Sequence, residues 1–485
     1  MKLAKSFVPY YFPFVKKLNP NSSILKIIKS FFIAILLSNS IYLSFFESLA
    51  LEIFSPFLAI YGLVLLLRSD KIGYFWAGFF LGILWFFWLS FSSIYFGLSY
   101  LIPFEILGIG LFYGILFRIC FILKFDFLRL CGVFLISFIH PLGFDWLNWG
   151  VLSVYGFFES STKGVICMFL IAYFYYERYI SRYYKIAIIL ALFFIGMQYK
   201  DTEFKSLNTN IALIQTHISQ DQKYLSENQA NEAERLINEI FQAIEAKKEV
   251  VVLPESAFAF ELKQAFSGLY YELLKELSKD IVIIAGAFNE ENKGFYNSTY
   301  VFQNGEVKIL NKHYLVPFGE ELPIFKEFVR TYLLPDMGEF SRGEKLNHYE
   351  LFGEKITNAI CYEATKEALY KESKIIIAIS NNAWFDGFIE PSLQRLLIKF
   401  YASKYGVSVY HATNGEITTI ITPKKSLFAY LKNELFAYFD QFKNIEKVKN
   451  KTTKDENSSK KEPAKDNVLD DNNLTQDNNL SQTQE

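Results

Sequence analysis

Seven nearly uninterrupted apolar stretches crowd into the first 200 positions, and no water-soluble fold of that length can bury so much surface. They run roughly over residues 28–46, 51–67, 73–90, 101–117, 127–144, 164–176 and 186–198. Crossing a bilayer as a helix takes about 20 mostly apolar residues. The first four runs meet that length. The last three are short, and the sixth and seventh fit a buried or interfacial hairpin as well as two spans. The whole chain is 52% hydrophobic and 18% aromatic, above the usual level for a soluble protein. That excess lies almost entirely in this first part, so we expect a membrane domain over 1–200 with about seven transmembrane helices.

Basic residues give the expected orientation. Lys2, Lys5, Lys16, Lys17, Lys26 and Lys29 precede the first run. Arg68 and Lys71 follow the second, Arg118, Lys124 and Arg129 surround the turn after the fourth, and Arg178, Arg182 and Lys185 follow the sixth. The intervening loops near 47–52, 92–100 and 145–163 contain only Lys163. Basic loops stay in the cytoplasm, so the chain leaves the seventh run on the opposite side. Met1 to Lys29 is Lys-rich and broken by Pro9, Pro13 and Pro20. It has no cleavable-signal pattern, and the first run is expected to stay as an anchor. Glu105, within the fourth run just after Pro103, is expected at the interface rather than deep in the bilayer.

Beyond Lys200 the pattern changes to short β-branched runs alternating with polar helical segments. Strands are predicted near 210–215, 249–253, 281–287, 298–303, 308–311, 355–361, 375–380, 407–412 and 417–421, with a hairpin at Asn304-Gly305. Helices are predicted near 227–247, 259–278, 365–372 and 390–404. Such alternation implies layered sheets and helices, an α/β domain over 201–445. Residues 424–442 form an amphipathic segment, too short and polar to span, expected to pack on the domain. The tail 446–485 is polar and is expected to be disordered. A net charge of −1 gives no reason to look for a nucleic-acid partner.

Three segments each place a reactive side chain at or near the end of a predicted strand. They are Leu253-Pro254-Glu255-Ser256, Asn311-Lys312-His313-Tyr314, and Ala359-Ile360-Cys361-Tyr362-Glu363. A cysteine nucleophile needs a base, and a carboxylate can serve. An ammonium, with a backbone N–H after the nucleophile, can hold the oxyanion of a tetrahedral intermediate. Singly, each has a plainer reading: an inert buried cysteine, a turn carboxylate, one surface lysine among many. Cys120, Cys131 and Cys167 fall in apolar runs, so Cys361 has no disulfide partner in the soluble part. It is the combination that carries meaning.

These blocks, LPES, NKHYLVPFGE and ICYE, with Ser380-Asn381-Asn382-Ala383-Trp384-Phe385 after them, resemble those of the nitrilase (carbon–nitrogen hydrolase) superfamily. The apolar runs ahead of them resemble its membrane branch, the apolipoprotein N-acyltransferases. The resemblance covers nearly all of residues 28–422 and implies an αββα sandwich behind a multi-span membrane domain. It implies Glu255 as general base, Lys312 as oxyanion stabiliser and Cys361 as nucleophile. Glu320, Tyr362 and Glu363 match further residues needed around the site, and Tyr224 stands where the family carries a substrate-loop tryptophan. The implied reaction moves a fatty acyl chain from a membrane phospholipid, through a thioester on Cys361, to the α-amine of diacylglyceryl-cysteine in apolipoproteins. Thioester to amide is downhill, so no metal or other cofactor is implied. The implied location is the inner (plasma) membrane, multi-pass, with the catalytic domain on the periplasmic side. Family members usually end in a further span, and none follows Thr422 here. Two other readings use the same residues: a membrane-tethered amidase for a small C–N substrate, and an inactive membrane scaffold.

Overall fold

The computed structural model describes residues 22–46, 48–292, 294–324, 326–332 and 338–436. The N-terminal lysines before Lys26, the tail 446–485 and the end of the amphipathic segment lie outside the described residues. Seven helices occupy the apolar runs: α1 Ser23–Leu43, α2 Leu49–Leu67, α3 Lys71–Phe86, α4 Ile102–Ile122, α5 Asp126–Leu135, α6 Thr162–Tyr176 and α7 Arg182–Gly196. With the 3-10 turns continuing them, four segments are long and apolar enough to cross a membrane: Ser23–Phe46, Leu49–Leu67, Lys71–Phe96 and Ser99–Ile122. The fifth to seventh runs form helices of 10, 15 and 15 residues. Asp70 caps α3 through the backbone N–H groups of Ile72 and Gly73. Its second oxygen accepts from Lys26 Nζ at 2.6 Å, so the start of α1 and the α2–α3 turn share one end of the bundle.

Among the described residues the second part holds eleven strands, β1 Ile211–Leu213, β2 Val250–Val252, β3 Phe258–Glu261, β4 Val282–Glu291, β5 Gly294–Gln303, β6 Glu306–Asn311, β7 His348–Leu351, β8 Glu354–Ile360, β9 Ile375–Asn381, β10 Ser408–Asn414 and β11 Thr419–Ile421. They form two sheets, β1-β2-β4-β5-β6 with β3 on β4, and β11-β10-β9-β8-β7. Asn304 and Gly305 both take positive φ at the β5–β6 turn, as a two-residue hairpin requires. The continuous apolar runs of β2 and β9 are explained by burial on both faces. Val250, Val252 and Ile284 meet Ile375, Ile377 and Ile379 between the sheets. Val251, Ile283 and Ala285 face outward instead, under α8 Ser226–Glu245 and α9 Leu269–Leu277. The outer face of the second sheet carries α10 Glu367–Lys371 and α11 Glu390–Tyr405, giving αββα layers.

The helix expected over 259–278 is a correction. Its first part is strand β3, which runs alongside β4 with a shifted register, and only Leu269–Leu277 is α-helical. Strand β7 was not expected at all.

The two parts share one hydrophobic core: the cluster containing Ala359, Ile376 and α11 continues into Trp85, Trp149 and the membrane helices. The chain between α5 and α6 forms the ledge. Phe144 stacks on Tyr362 at 5.9 Å, Trp146 Nε1 donates to Thr365 Oγ1 at 2.8 Å, and Asp145 pairs with Lys366 at 2.9 Å. A Cβ on Gly150 would lie 2.4 Å from the Phe400 ring, so only glycine admits α11 at this distance. Past the last strand, the Lys424 ammonium donates to the carbonyls of Ser153, Tyr155 and Phe158. The first residues of the amphipathic segment therefore pack against the ledge.

Candidate active site

The sheet order explains how residues distant in sequence meet. Glu255 lies just past β2, Lys312 directly follows β6, and Cys361 directly follows β8. The two sheets stack, so these three strand ends open onto one cleft. Glu255 can turn in only because β4 carries Gly286, where a Cβ would sit 2.5 Å from Ser256 N. Ser256, Phe318 and Cys361 all have φ between 48° and 61°. This left-handed region is sparsely used by side-chain-bearing residues and tends to mark functional sites.

Lys312 is almost wholly buried, with Nζ 2.8 Å from Glu320 Oε1 and 3.5 Å from Glu255 Oε1. Glu255 Oε1 accepts from Asn297 Nδ2 at 2.7 Å, and Oε2 from the Asn381 backbone N–H at 2.7 Å. Burial works against the Lys312 charge, but Glu320 and Glu255 outweigh it and hold its pKa above the ordinary lysine range. That leaves it a permanent cation. Burial first, and then the Glu255 charge, push the half-buried Cys361 thiol well above its usual pKa, with Lys312 opposing. The resting sulfur is therefore a thiol, and a base would have to take its proton for it to act as a nucleophile.

The other residues singled out from the sequence divide by position. Glu320 touches the centre: it accepts from Lys312, from Asn297 Nδ2 at 3.1 Å and from Val316 N at 2.9 Å. Glu363 is a brace. It accepts from the backbone N–H groups of His313, Tyr314 and Ile360, tying the lysine loop to the cysteine turn. Tyr362 faces the membrane domain, with its hydroxyl donating to the Gly143 carbonyl at 2.9 Å. Tyr224 lies on the cavity wall, stacked over Phe288 at 6.2 Å.

Sequence reasoning missed Asn297, which bridges two carboxylates from within β5, where nothing in the pattern distinguishes it. It also missed Lys223, buried beside Tyr224 and donating to the Glu255 carbonyl at 2.9 Å. Burial lowers its pKa to about 8. Gln394, whose Nε2 lies 3.8 Å from Cys361 Sγ, had only its place on a predicted helix.

A cavity of about 660 Å³ joins these groups to the membrane domain. At one end are Glu255, Lys312 and Cys361. Its walls continue through Trp88, Ile109 and Phe112, on the α3–α4 segments. A site of this kind can hold a long apolar acyl group with its carbonyl at the sulfur.

Comparison with known proteins places the chain first in a class. Residues 210–429 match the carbon-nitrogen hydrolase family, and residues 24–197 match the apolipoprotein N-acyltransferase integral membrane domain. The apolipoprotein N-acyltransferase of Campylobacter jejuni is 61% identical over 434 residues, covering 89% of this chain and 98% of that protein. Those of Wolinella succinogenes and Helicobacter hepaticus are 36% and 34% identical, covering 80% and 76% of this chain and 94% and 93% of those proteins. The chain belongs to the apolipoprotein N-acyltransferases. It is an acyltransferase with a multi-pass membrane domain and a carbon–nitrogen hydrolase catalytic domain.

Proposed function

We propose that the protein moves a fatty acyl chain from a membrane phospholipid to the N-terminal α-amine of diacylglyceryl-cysteine in apolipoproteins, with Cys361 as nucleophile, Glu255 as base and Lys312 as oxyanion stabiliser. Glu255 takes the thiol proton as the sulfur attacks the ester carbonyl. The Lys312 ammonium, with the backbone N–H after Cys361, balances the charge developing on oxygen. Collapse releases the lysophospholipid alkoxide, which takes the proton from Glu255 and leaves an acyl thioester. The acceptor amine then attacks, its proton passes to Glu255, and the departing Cys361 thiolate recovers that proton as the amide forms. The energy of the thioester drives this second half, so no nucleotide enters. Glu320 and Asn297 hold Lys312 and Glu255 in register, and Tyr224 lines the substrate path.

The observation that carries this reading is the single cavity running from Cys361 into apolar walls on the membrane segments. A small water-soluble amide would have no use for it. Apolar walls also limit water at the thioester. The alternation of basic loops supports a catalytic domain on the periplasmic side of the inner membrane. Intact-mass measurement after incubation with phospholipid vesicles tests the chemistry. A fatty-acyl adduct on Cys361, lost on adding a diacylated lipopeptide, is expected. Turnover with no adduct at any time overturns the thioester route.

A further inference from the structure

Beside the three groups assigned above, a second set of buried polar side chains links to the sulfur through Gln394. Asn382 follows β9, and Glu390 and Gln394 sit one turn apart on the same face of α11. They are 2%, 4% and 1% exposed. Asn382 Nδ2 lies 3.0 Å from Glu390 Oε2 and 3.1 Å from Gln394 Oε1. Gln394 Nε2 then lies 3.8 Å from Cys361 Sγ.

The polarity of this chain is set from its far end. Among the described residues Asn382 Oδ1 is buried without a partner, so the Asn382 amide is held there by the two acceptors on its nitrogen. Glu390 supplies one of them. With the Asn382 nitrogen facing Gln394, the Gln394 amide must present its oxygen there, and its N–H is left to point at the sulfur. A reversed Gln394 would oppose two donors. We propose that Gln394 is a catalytic hydrogen-bond donor to Cys361 Sγ, and that Asn382 and Glu390 are positioning residues that fix the direction of its amide. The inference rests on Cys361 being the nucleophile. A donor on sulfur favours each state in which sulfur carries negative charge, first as it attacks the ester and again as it leaves the thioester.

Glu390 suits the positioning role because of its burial. It forms no ion pair among the described residues, and burial pushes its carboxyl up to about 8. Once ionised, its charge raises the Cys361 pKa together with those of Glu255 and Glu320, so a donor on the sulfur works against all three carboxylates. Lys312 is the cation that opposes them.

The test is the rate at which iodoacetamide alkylates Cys361 in the full-length protein, read by intact mass from about pH 6 to about pH 10. Gln394→Met keeps side-chain length and removes the donor. It should slow labelling about tenfold at a fixed pH and move the profile about one unit alkaline, with thermal unfolding little changed. Asn382→Leu, which removes the amide that orients Gln394 without changing a charge, should shift the profile the same way. A wild-type profile in folded Gln394→Met overturns the proposal. Should that variant not fold, a wild-type profile in Asn382→Leu overturns it instead. The shift is measured without lipid, so a missing acyl adduct in the wild type would sink the thioester route while leaving this assignment standing.

Discussion

The two helical layers that flank the sandwich are made from the same kind of element but meet different surroundings. α8, on the first sheet, buries five of its twenty residues, among them Leu236 and Ile240, and turns Glu234 and its charged neighbours outward. That is the stripe expected of a surface helix. α11, on the second sheet, buries twelve of sixteen residues, because one side meets the sheet and the other meets the membrane domain. A helix buried all round belongs to an interior. The sheet that carries Cys361 is thus clamped to the membrane domain, while the helices covering the sheet that carries Glu255 and Lys312 turn their polar side outward. Cys361 therefore sits on the sheet packed against the membrane domain, and Glu255 and Lys312 reach the same cleft from the other sheet.

The sharpest break in this comparison comes from the site itself. Cys361→Ala should abolish both the acyl adduct and acyl transfer, read by mass spectrometry and lipopeptide turnover, whereas Glu234→Ala on α8 should leave both intact. Truncations in the two layers come next. Phe400→Ala and Ile240→Ala should each cost about 2–5 kcal/mol by cavity formation. Only Phe400→Ala should also slow turnover per folded molecule, since Phe400 seats on Gly150 of the ledge. Equal turnover in the two variants would mean that the docking does not serve the chemistry.

Glu255→Gln gives a test of opposite sign. The Glu255 charge helps raise the Cys361 pKa, so removing it should lower that pKa and speed iodoacetamide labelling near neutral pH, while acyl transfer falls. Slower labelling would show that Glu255 does not act on the sulfur as a charge. The smallest effects separate rim from core. Tyr362→Phe removes the bond to the Gly143 carbonyl and should cost about 1 kcal/mol in thermal stability. Glu234→Ala should stay within about 0.5 kcal/mol.

Much of this was legible beforehand, for identifiable reasons. β2 and β9 stood out because β-branched residues buried on both faces leave an unbroken apolar run. The hairpin at Asn304-Gly305 stood out because few residue pairs accept two positive φ values. β3 was hidden, since Phe258-Ala259-Phe260-Glu261 has no β-branched residue and carries helix formers into a stretch that is helical further on. β7 was hidden because His348-Tyr349-Glu350-Leu351 is half polar, and its partner β8 is what makes it a strand. Glu363 and Tyr362 were expected near the site, but one sequence could not show that the first braces backbone amides and the second faces the ledge.

The sequence by itself determined the division into an apolar helical part and an α/β part, the strand and helix alternation, and the three segments that bear Glu255, Lys312 and Cys361. Those follow from local pattern, because burial and turn geometry act on neighbouring residues. Only the tertiary structure decided that Asn297 bridges two carboxylates, that Gln394 reaches the sulfur, and that α11 is an interior helix. Each depends on surfaces brought together from far along the chain, and a single polar residue in a strand or helix carries no mark of the partner it will meet.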